Sequence, residues 1–183
     1  SRGLGDVYKR QPEDIKKNNL NGILVASPAN PTGSMVDKET LKNLINAAHE
    51  NNVSFISDEI YHGIQYENNP TTALEITDKC YVINSFSKYF SMTGWRIGWM
   101  IVPEDHVRQV ERLSQNLFIC PPHVSQLTAL SAMDANIELN ENVNVYKKNR
   151  EILLKELPKA GLGKFSPPDG AFYIYVDISK YSN

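Results

Sequence analysis

Side chains that can do acid–base and nucleophilic chemistry follow three short apolar runs of this chain. Asn30 comes shortly after the first run, Asp58 and Tyr61 come after the second, and Lys88 follows the third. Arg96 lies eight residues beyond Lys88. A lysine amine can bond to a carbonyl carbon, a carboxylate can pair with a protonated ring nitrogen, and a guanidinium can bind a phosphate. Together these groups indicate a ligand that carries all three features.

The apolar runs are predicted to be strands that place these side chains at one edge of a sheet. Residues 23–27 form a continuous apolar run, as in a strand buried on both faces, and residues 53–57 and 81–84 predict two more strands. In an open, mostly parallel α/β sheet, ligands bind at the carboxyl ends of the strands. Ser85 and Ser87 add two hydroxyls at the end of the third strand. The class is therefore predicted to be α/β.

The remaining segments predict one antiparallel strand, several helices and a final strand. Residues 87–97 hold no helical pattern, so no parallel crossover is expected and the strand 98–102 should run antiparallel. Asp37 is predicted to cap a helix, and two further helices should follow the antiparallel strand. The longest helix is predicted over about 138–157. The last strand, 172–176, is assigned to the core of a second, smaller domain.

The composition carries no nucleic-acid or membrane signature. Of the 183 residues, 41% are apolar and 22% are charged, and the formal net charge is −2. Nucleic-acid binding would need a basic stripe, and no apolar run reaches the roughly 18 residues of a membrane span. Cys80 and Cys120 have neither the spacing of metal ligands nor that of a disulfide framework. We therefore expect no metal site and a reducing, cytoplasmic location.

Each polar motif has an ordinary explanation when it stands alone. A proline–glycine turn, a helix cap, a surface lysine and an aromatic edge strand would account for the four motifs separately. Their joint order and spacing indicate a functional site. The four segments resemble the class I and II aminotransferases, which are pyridoxal-phosphate enzymes of the aspartate aminotransferase fold: Ala29-Asn30-Pro31-Thr32-Gly33, Ser57-Asp58-Glu59-Ile60-Tyr61, Asn84-Ser85-Phe86-Ser87-Lys88 and Met92-Thr93-Gly94-Trp95-Arg96-Ile97-Gly98-Trp99.

The resemblance implies a role for each of the seven polar residues. Lys88 would form an aldimine with the aldehyde of pyridoxal phosphate and move a proton between the substrate α-carbon and the cofactor. Asp58 would keep the pyridine nitrogen protonated, since an adjacent anion favours the charged form. Asn30 and Tyr61 would donate hydrogen bonds to the ring 3-oxygen. The phosphate would be held by two hydroxyls and a guanidinium, those of Ser85, Ser87 and Arg96.

The resemblance covers residues 12–183 and implies an internal fragment of a longer chain. Residues 1–11 have the character of a non-native leader, and residues 12–135 would be part of the large cofactor-binding domain. Residues 136–183 would hold the interdomain helix and the start of a truncated C-terminal small α+β domain. The glycine-rich phosphate loop, the ring that stacks on the cofactor and the arginine that binds the substrate carboxylate would lie elsewhere. We therefore predict that the 183-residue chain alone does not turn over amino acids.

The implied reaction moves an amino group between an α-amino acid and a 2-oxo acid. Family enzymes are homodimers, and the segment 115–122 resembles the part that approaches the partner's site. Residues that set the substrate side chain would lie mostly outside this chain. Acidic, aromatic and branched-chain amino acids therefore all stay open as substrates.

Two alternative functions share much of this sequence pattern. A pyridoxal-phosphate carbon–sulfur β-lyase on the same fold would have the same lysine, aspartate and arginine, although the full match to the GWRIGW segment favours transamination. An aminotransferase-like domain of a transcription regulator would need a helix-turn-helix before Gln11. A catalytically inactive homologue is disfavoured because Lys88, Asp58 and Arg96 are all retained.

Overall fold

The computed structural model of the protein describes residues 12–17 and 20–181, and all structural statements below concern those residues. The leader predicted over residues 1–11 lies outside them. Helices and strands alternate up to β2, after which two more strands and then three helices follow, and the described residues also hold three short 3₁₀ turns. The elements are α1 (Pro12–Lys17), β1 (Gly22–Ala26), α2 (Lys38–Glu50), β2 (Ser54–Asp58), β3 (Tyr81–Ser85), β4 (Gly98–Ile101), α3 (Val107–Leu117), α4 (His123–Ala132) and α5 (Asn136–Lys159).

The four strands form one sheet in the order β1-β2-β3-β4. The pairs β1–β2 and β2–β3 are parallel, whereas β4 pairs with β3 in the antiparallel direction. This confirms the prediction that β4 runs antiparallel, which followed from the absence of a helical pattern in the sequence between β3 and β4. Gly98 permits the close pairing, because a Cβ at this position would lie 2.7 Å from the carbonyl oxygen of Asn84.

Helix α2 and the sheet form the main hydrophobic core. As predicted, Asp37 is the N-cap of α2, and its Oδ1 accepts the Thr40 amide N–H at 2.9 Å. The apolar residues of α2 recur at helical spacing, so they share one face and are buried together with side chains of three strands. Members of this core include Ile23, Leu41, Leu44, Ile45, Phe55 and Val82.

The long helix α5 spans Asn136–Lys159, close to the predicted 138–157. Its side chains Val143 and Tyr146 pack against a second buried cluster that contains Tyr61 and Ile64. Helix α5 is therefore attached to the turn that follows β2. No helix in the described part of the chain is long and apolar enough to cross a membrane.

The strand predicted at 172–176 is wrong. In this segment, Val176 makes a single isolated bridge to Phe165, so no ladder of paired residues forms. The start of the segment has a different task, because the rings of Phe172 and Tyr173 pack against Tyr61. Short runs of apolar and aromatic residues favour a strand, but here tertiary packing of those rings overrides the local preference. The domain boundaries predicted at residues 11 and 135 stay predictions.

Candidate active site

Lys88 lies in the turn after β3, with its amine beside two aromatic rings. Its Nζ is 5.5 Å from the ring centre of Tyr61 and 5.7 Å from that of Phe172. Aromatic faces attract a cationic amine through the ring quadrupole without fixing it in an ion pair. Within the described residues, no carboxylate forms a salt bridge with Lys88. The amine is thus held in place and free to bond to a ligand.

Asp58 and Tyr61 occupy the end of β2 and the turn that follows it. Asp58 pairs with Ala26 of β1 and Ile83 of β3, and its Oδ1 accepts the amide N–H of Ile60 at 3.2 Å. Tyr61 is only 2% exposed, and its hydroxyl lies 2.5 Å from that of Tyr173. Burial raises the pKa of Tyr61 well above its usual value, and the contact with Tyr173 and the charge of Asp58 add to the effect. Tyr61 is therefore a neutral phenol that can donate a hydrogen bond.

A chain of hydrogen bonds links the two serines to the arginine. The Ser85 hydroxyl lies 3.0 Å from the Ser87 hydroxyl and also accepts the Ser87 amide N–H at 3.0 Å. Thr93 donates its hydroxyl to the carbonyl of Ser87 at 2.7 Å, and Arg96 Nη1 donates to the carbonyl of Thr93 at 2.8 Å. Arg96 has a left-handed backbone with φ 51°, which is uncommon for a residue with a side chain. The guanidinium is thus linked to the turn of the two serines through Thr93.

Asn30 is exposed on the turn after β1, where Gly33 donates its amide N–H to the carbonyl of Ala29 at 2.7 Å. In residues 20–181, its side chain makes no hydrogen bond with any of the other six candidates. Within those residues, the structure joins Lys88 to Tyr61, and the serines to Arg96. The roles of all seven candidate residues stay predictions.

Comparison with known proteins identifies the family. A sequence model of the aminotransferase class I and II family matches residues 6–183. The chain belongs to this family. The resemblance seen in the four motifs is thereby confirmed, and so is the α/β fold with its mostly parallel sheet.

Individual aminotransferases are similar to the chain over nearly all of its length. A valine–pyruvate aminotransferase of Mycobacterium tuberculosis is 44% identical over 90% of the chain and 43% of its own length. A solved aminotransferase from the same organism has a TM-score of 0.92 and 39% identity, over 100% of this chain and 49% of that one. A double mutant of Thermus thermophilus aspartate aminotransferase has a TM-score of 0.85 and 32% identity, over 92% and 46%. The chain thus spans less than half the length of these relatives.

Two residues that the sequence did not indicate border the candidate site. Phe172 and Tyr173 were assigned to the core of a second domain, but both rings pack on Tyr61. The residues just before them are bound to the turn after β1, because the carbonyl of Gly33 accepts the amide N–H groups of both Asp169 and Gly170 at 2.9 Å. No periodicity in the sequence reports a contact over such a separation. Pro168 and Gly170, on either side of Asp169, were a local signal in the sequence for a turn before Phe172.

A buried carboxylate supports the segment that carries Asp58 and Tyr61. Glu59 is 3% exposed, and its Oε1 accepts the Ser57 hydroxyl at 2.9 Å and the Ala73 amide N–H at 2.8 Å. Its Oε2 lies 3.4 Å from Nδ1 of His62. Burial lowers the pKa of His62, although the Glu59 charge opposes this shift. These bonds fix the turn that follows β2 and carries Tyr61.

The donor set fits the pyridoxal phosphate that aminotransferases of this family use. An amine without an ion pair, a carboxylate at a strand end, a neutral phenol and two adjacent hydroxyls near a guanidinium share the carboxyl edge of the sheet. A ligand with an aldehyde, a basic ring nitrogen, a phenolic oxygen and a phosphate would use every one of these groups. The chemistry of the residues present is therefore compatible with this cofactor.

Proposed function

We propose that this chain is part of a pyridoxal-phosphate-dependent aminotransferase that moves an amino group between an α-amino acid and a 2-oxo acid. The observation that carries the proposal is the Lys88 amine, which lies beside the contacting rings of Tyr61 and Phe172 and forms no salt bridge with a carboxylate of the described residues. The relatives named as aminotransferases favour transamination over the lyase and regulatory alternatives. We assign this activity to a longer protein, because the relatives are about twice as long as this chain.

Six side chains would bind the cofactor and fix its orientation. Asp58 would pair with the ring nitrogen, and Tyr61 would donate to the ring 3-oxygen together with Asn30. Bound pyridoxal phosphate supplies an electron-accepting ring that stabilises negative charge at the substrate α-carbon. The phosphate would lie among Ser85, Ser87 and Arg96, where the guanidinium can make two parallel hydrogen bonds.

Lys88 would be the catalytic base of the reaction. Its Nζ would hold the cofactor and, once displaced by the substrate amine, take the proton from the substrate α-carbon. A lysine suits this task because its amine is nucleophilic when neutral and its long side chain can move between two positions. The rings of Tyr61 and Phe172 limit where the amine can go and shield it from water on that side.

The substrate, assembly and location complete the proposal. Relatives are named for valine–pyruvate and for aspartate, so both a branched-chain and an acidic amino acid belong in the first assay. We propose a homodimer, supported by the apolar residues Leu117, Phe118 and Ile119, which are exposed in the segment 115–122. We also propose a cytoplasmic location, where the free thiols of Cys80 and Cys120 would stay reduced.

The test uses the full-length protein loaded with pyridoxal phosphate, in wild-type form and as Lys88→Ala. We expect the visible absorption band of the bound cofactor to convert when one of the amino acids is added, and to return when a 2-oxo acid follows. Lys88→Ala should lose this conversion by at least about 1,000-fold, since both the attachment and the base are gone. The matched control is Lys42→Ala, which removes an exposed lysine of α2.

Other outcomes assign the protein differently. A band that persists while pyruvate or ammonia accumulates would identify a lyase. If the wild-type protein shows no cofactor band, Lys88 does not carry the cofactor, and the regulatory or inactive alternatives take over.

A further inference from the structure

The closest polar contact at the candidate site joins two tyrosines that lie 112 residues apart in the sequence. The hydroxyl oxygens of Tyr61 and Tyr173 are 2.5 Å apart, and the rings meet edge to face with their centres 5.8 Å apart. A phenol hydroxyl carries one proton and can accept from another donor. In this pair either hydroxyl can be the donor, so the direction depends on what else Tyr61 contacts.

We infer that Tyr173 is a positioning residue, whose hydroxyl donates to Tyr61 and so directs the Tyr61 proton toward the cofactor. The inference rests on the proposed function, in which Tyr61 donates to the ring 3-oxygen. Because Tyr61 has a single proton, donating it to the cofactor leaves its oxygen able only to accept from Tyr173. A hydroxyl that accepts one hydrogen bond becomes a stronger donor of the next, since chained hydrogen bonds polarise one another.

The backbone holds the two tyrosines in this relation. Gln65 and Gly170 form an antiparallel bridge, and the amide N–H of Ala171 donates to the carbonyl of Ile64 at 2.9 Å. The Tyr66 hydroxyl donates to the carbonyl of Ala171, which has a left-handed backbone with φ 58°. The turn that carries Tyr61 is thus joined, a few residues after Tyr61, to the residues that directly precede Tyr173. The short contact is a built feature of both segments.

The charged and titratable groups around the pair are few. Lys88 faces the ring of Tyr61, and the charge of Asp58 acts on the Tyr61 hydroxyl. On its other side, Tyr173 borders a cavity of about 430 Å³ that is also lined by Tyr66, Tyr146 and Arg150. Among these, Tyr173 makes the direct hydrogen bond to the Tyr61 hydroxyl.

The experiment measures the pH titration of the visible absorption band of the full-length protein loaded with pyridoxal phosphate. A hydrogen bond donated to the ring 3-oxygen stabilises its anionic form. It therefore lowers the pKa with which the absorption band of the cofactor titrates. Tyr173→Phe keeps the ring that packs on Tyr61 but removes the donor. We expect the pKa of the band to rise by about half a unit, the worth of part of one neutral hydrogen bond. Tyr61→Phe should raise it further.

A double variant separates action through Tyr61 from any other effect. If Tyr173 works by donating to Tyr61, adding Tyr173→Phe to Tyr61→Phe should shift the pKa no further. The matched control is Tyr175→Phe, which removes a hydroxyl two residues away on an exposed side chain and should leave the titration unchanged. Thermal unfolding of each variant shows that the fold is kept.

Three results would overturn the inference. An unchanged pKa in Tyr173→Phe means that the hydroxyl pair does not tune the cofactor. An equal shift in the Tyr61→Phe background means that Tyr173 acts by another route. A wild-type protein without a titrating cofactor band contradicts the proposed function itself, and the inference fails with it.

Discussion

His62 is a buried histidine behind the candidate site, and its environment makes acid pH unfavourable for the folded state. Its Nε2 is buried without a hydrogen-bond partner among the described residues, and its Nδ1 lies 3.4 Å from Glu59. Burial holds the pKa of His62 below its ordinary value, although Glu59 opposes the shift. The unfolded chain therefore binds a proton more readily than the folded one, and the stabilisation is present above about pH 6.5 and is lost as the pH falls.

The pH dependence of unfolding tests this account of His62. We expect the free energy of unfolding of the full-length protein to fall below about pH 6.5, with a slope of at most about 1.4 kcal/mol per pH unit from one proton. His62→Gln cannot titrate, so the slope should flatten in urea unfolding between about pH 7.5 and 5. His49→Gln, at an exposed position in α2, is the control and should keep the wild-type slope. Equal slopes in His62→Gln and wild type would contradict the prediction.

At the scale of elements, helix α2 anchors the sheet and depends on a defined N-terminus. Asp37 accepts the Thr40 amide N–H at 2.9 Å and the Thr40 hydroxyl at 2.7 Å, and these bonds lower the pKa of Asp37. Asp37→Ala leaves the amide without its acceptor and should lower the free energy of unfolding by about 1 kcal/mol. Asp37→Ser restores a capping oxygen and should recover most of the loss. Urea unfolding of the three proteins checks this, and an Ala variant as stable as wild type would show that the cap is not needed.

Elements were predictable where local pattern and burial agree. The strands β1 to β3 and the helices α2 and α5 were found because their apolar residues follow the pattern of a strand or a helix, and β4 was placed because no helical pattern separates it from β3. The segment 172–176 has the composition of a strand, but its first two rings are used against Tyr61, where no backbone partner runs alongside. Helix α1 was missed because its six residues are too few to show a period. A contact such as Tyr61–Tyr173, across 112 residues, leaves no local signal at all.

The candidate site was predictable for a different reason, namely topology. Parallel strands bring their carboxyl ends to one edge, so Asp58 and Lys88 could be placed near each other before any contact was known. Their strands β2 and β3 are indeed neighbours in the sheet. What topology could not give is the second ring beside the Lys88 amine, because Phe172 reaches it from a segment outside the sheet.

At the scale of the whole molecule, the described residues leave an extended apolar surface exposed. Apolar side chains are exposed along α3, α4 and the start of α5, among them Leu117 at 69% and Leu130 at 71%. Exposed apolar area of this extent is unusual for a free monomer and indicates a surface that other protein covers. The relatives are about twice as long as this chain, which agrees with a surface covered by further protein. The proposed dimer would cover additional area.

The 183-residue chain by itself should therefore lack measurable transamination. The rings of Tyr61 and Phe172 lie beside the Lys88 amine, but catalysis also needs the substrate to be held in a fixed position, and the relatives are about twice as long as this chain. The purified chain would be mixed with pyridoxal phosphate, valine or aspartate, and a 2-oxo acid, beside the full-length protein at equal concentration. We expect a rate at least about 1,000-fold below that of the full-length protein, because the loss of substrate positioning alone can cost this much. Turnover near the full-length rate would show that residues 1–183 hold a complete active site, and that the exposed apolar surface serves some purpose other than completing it.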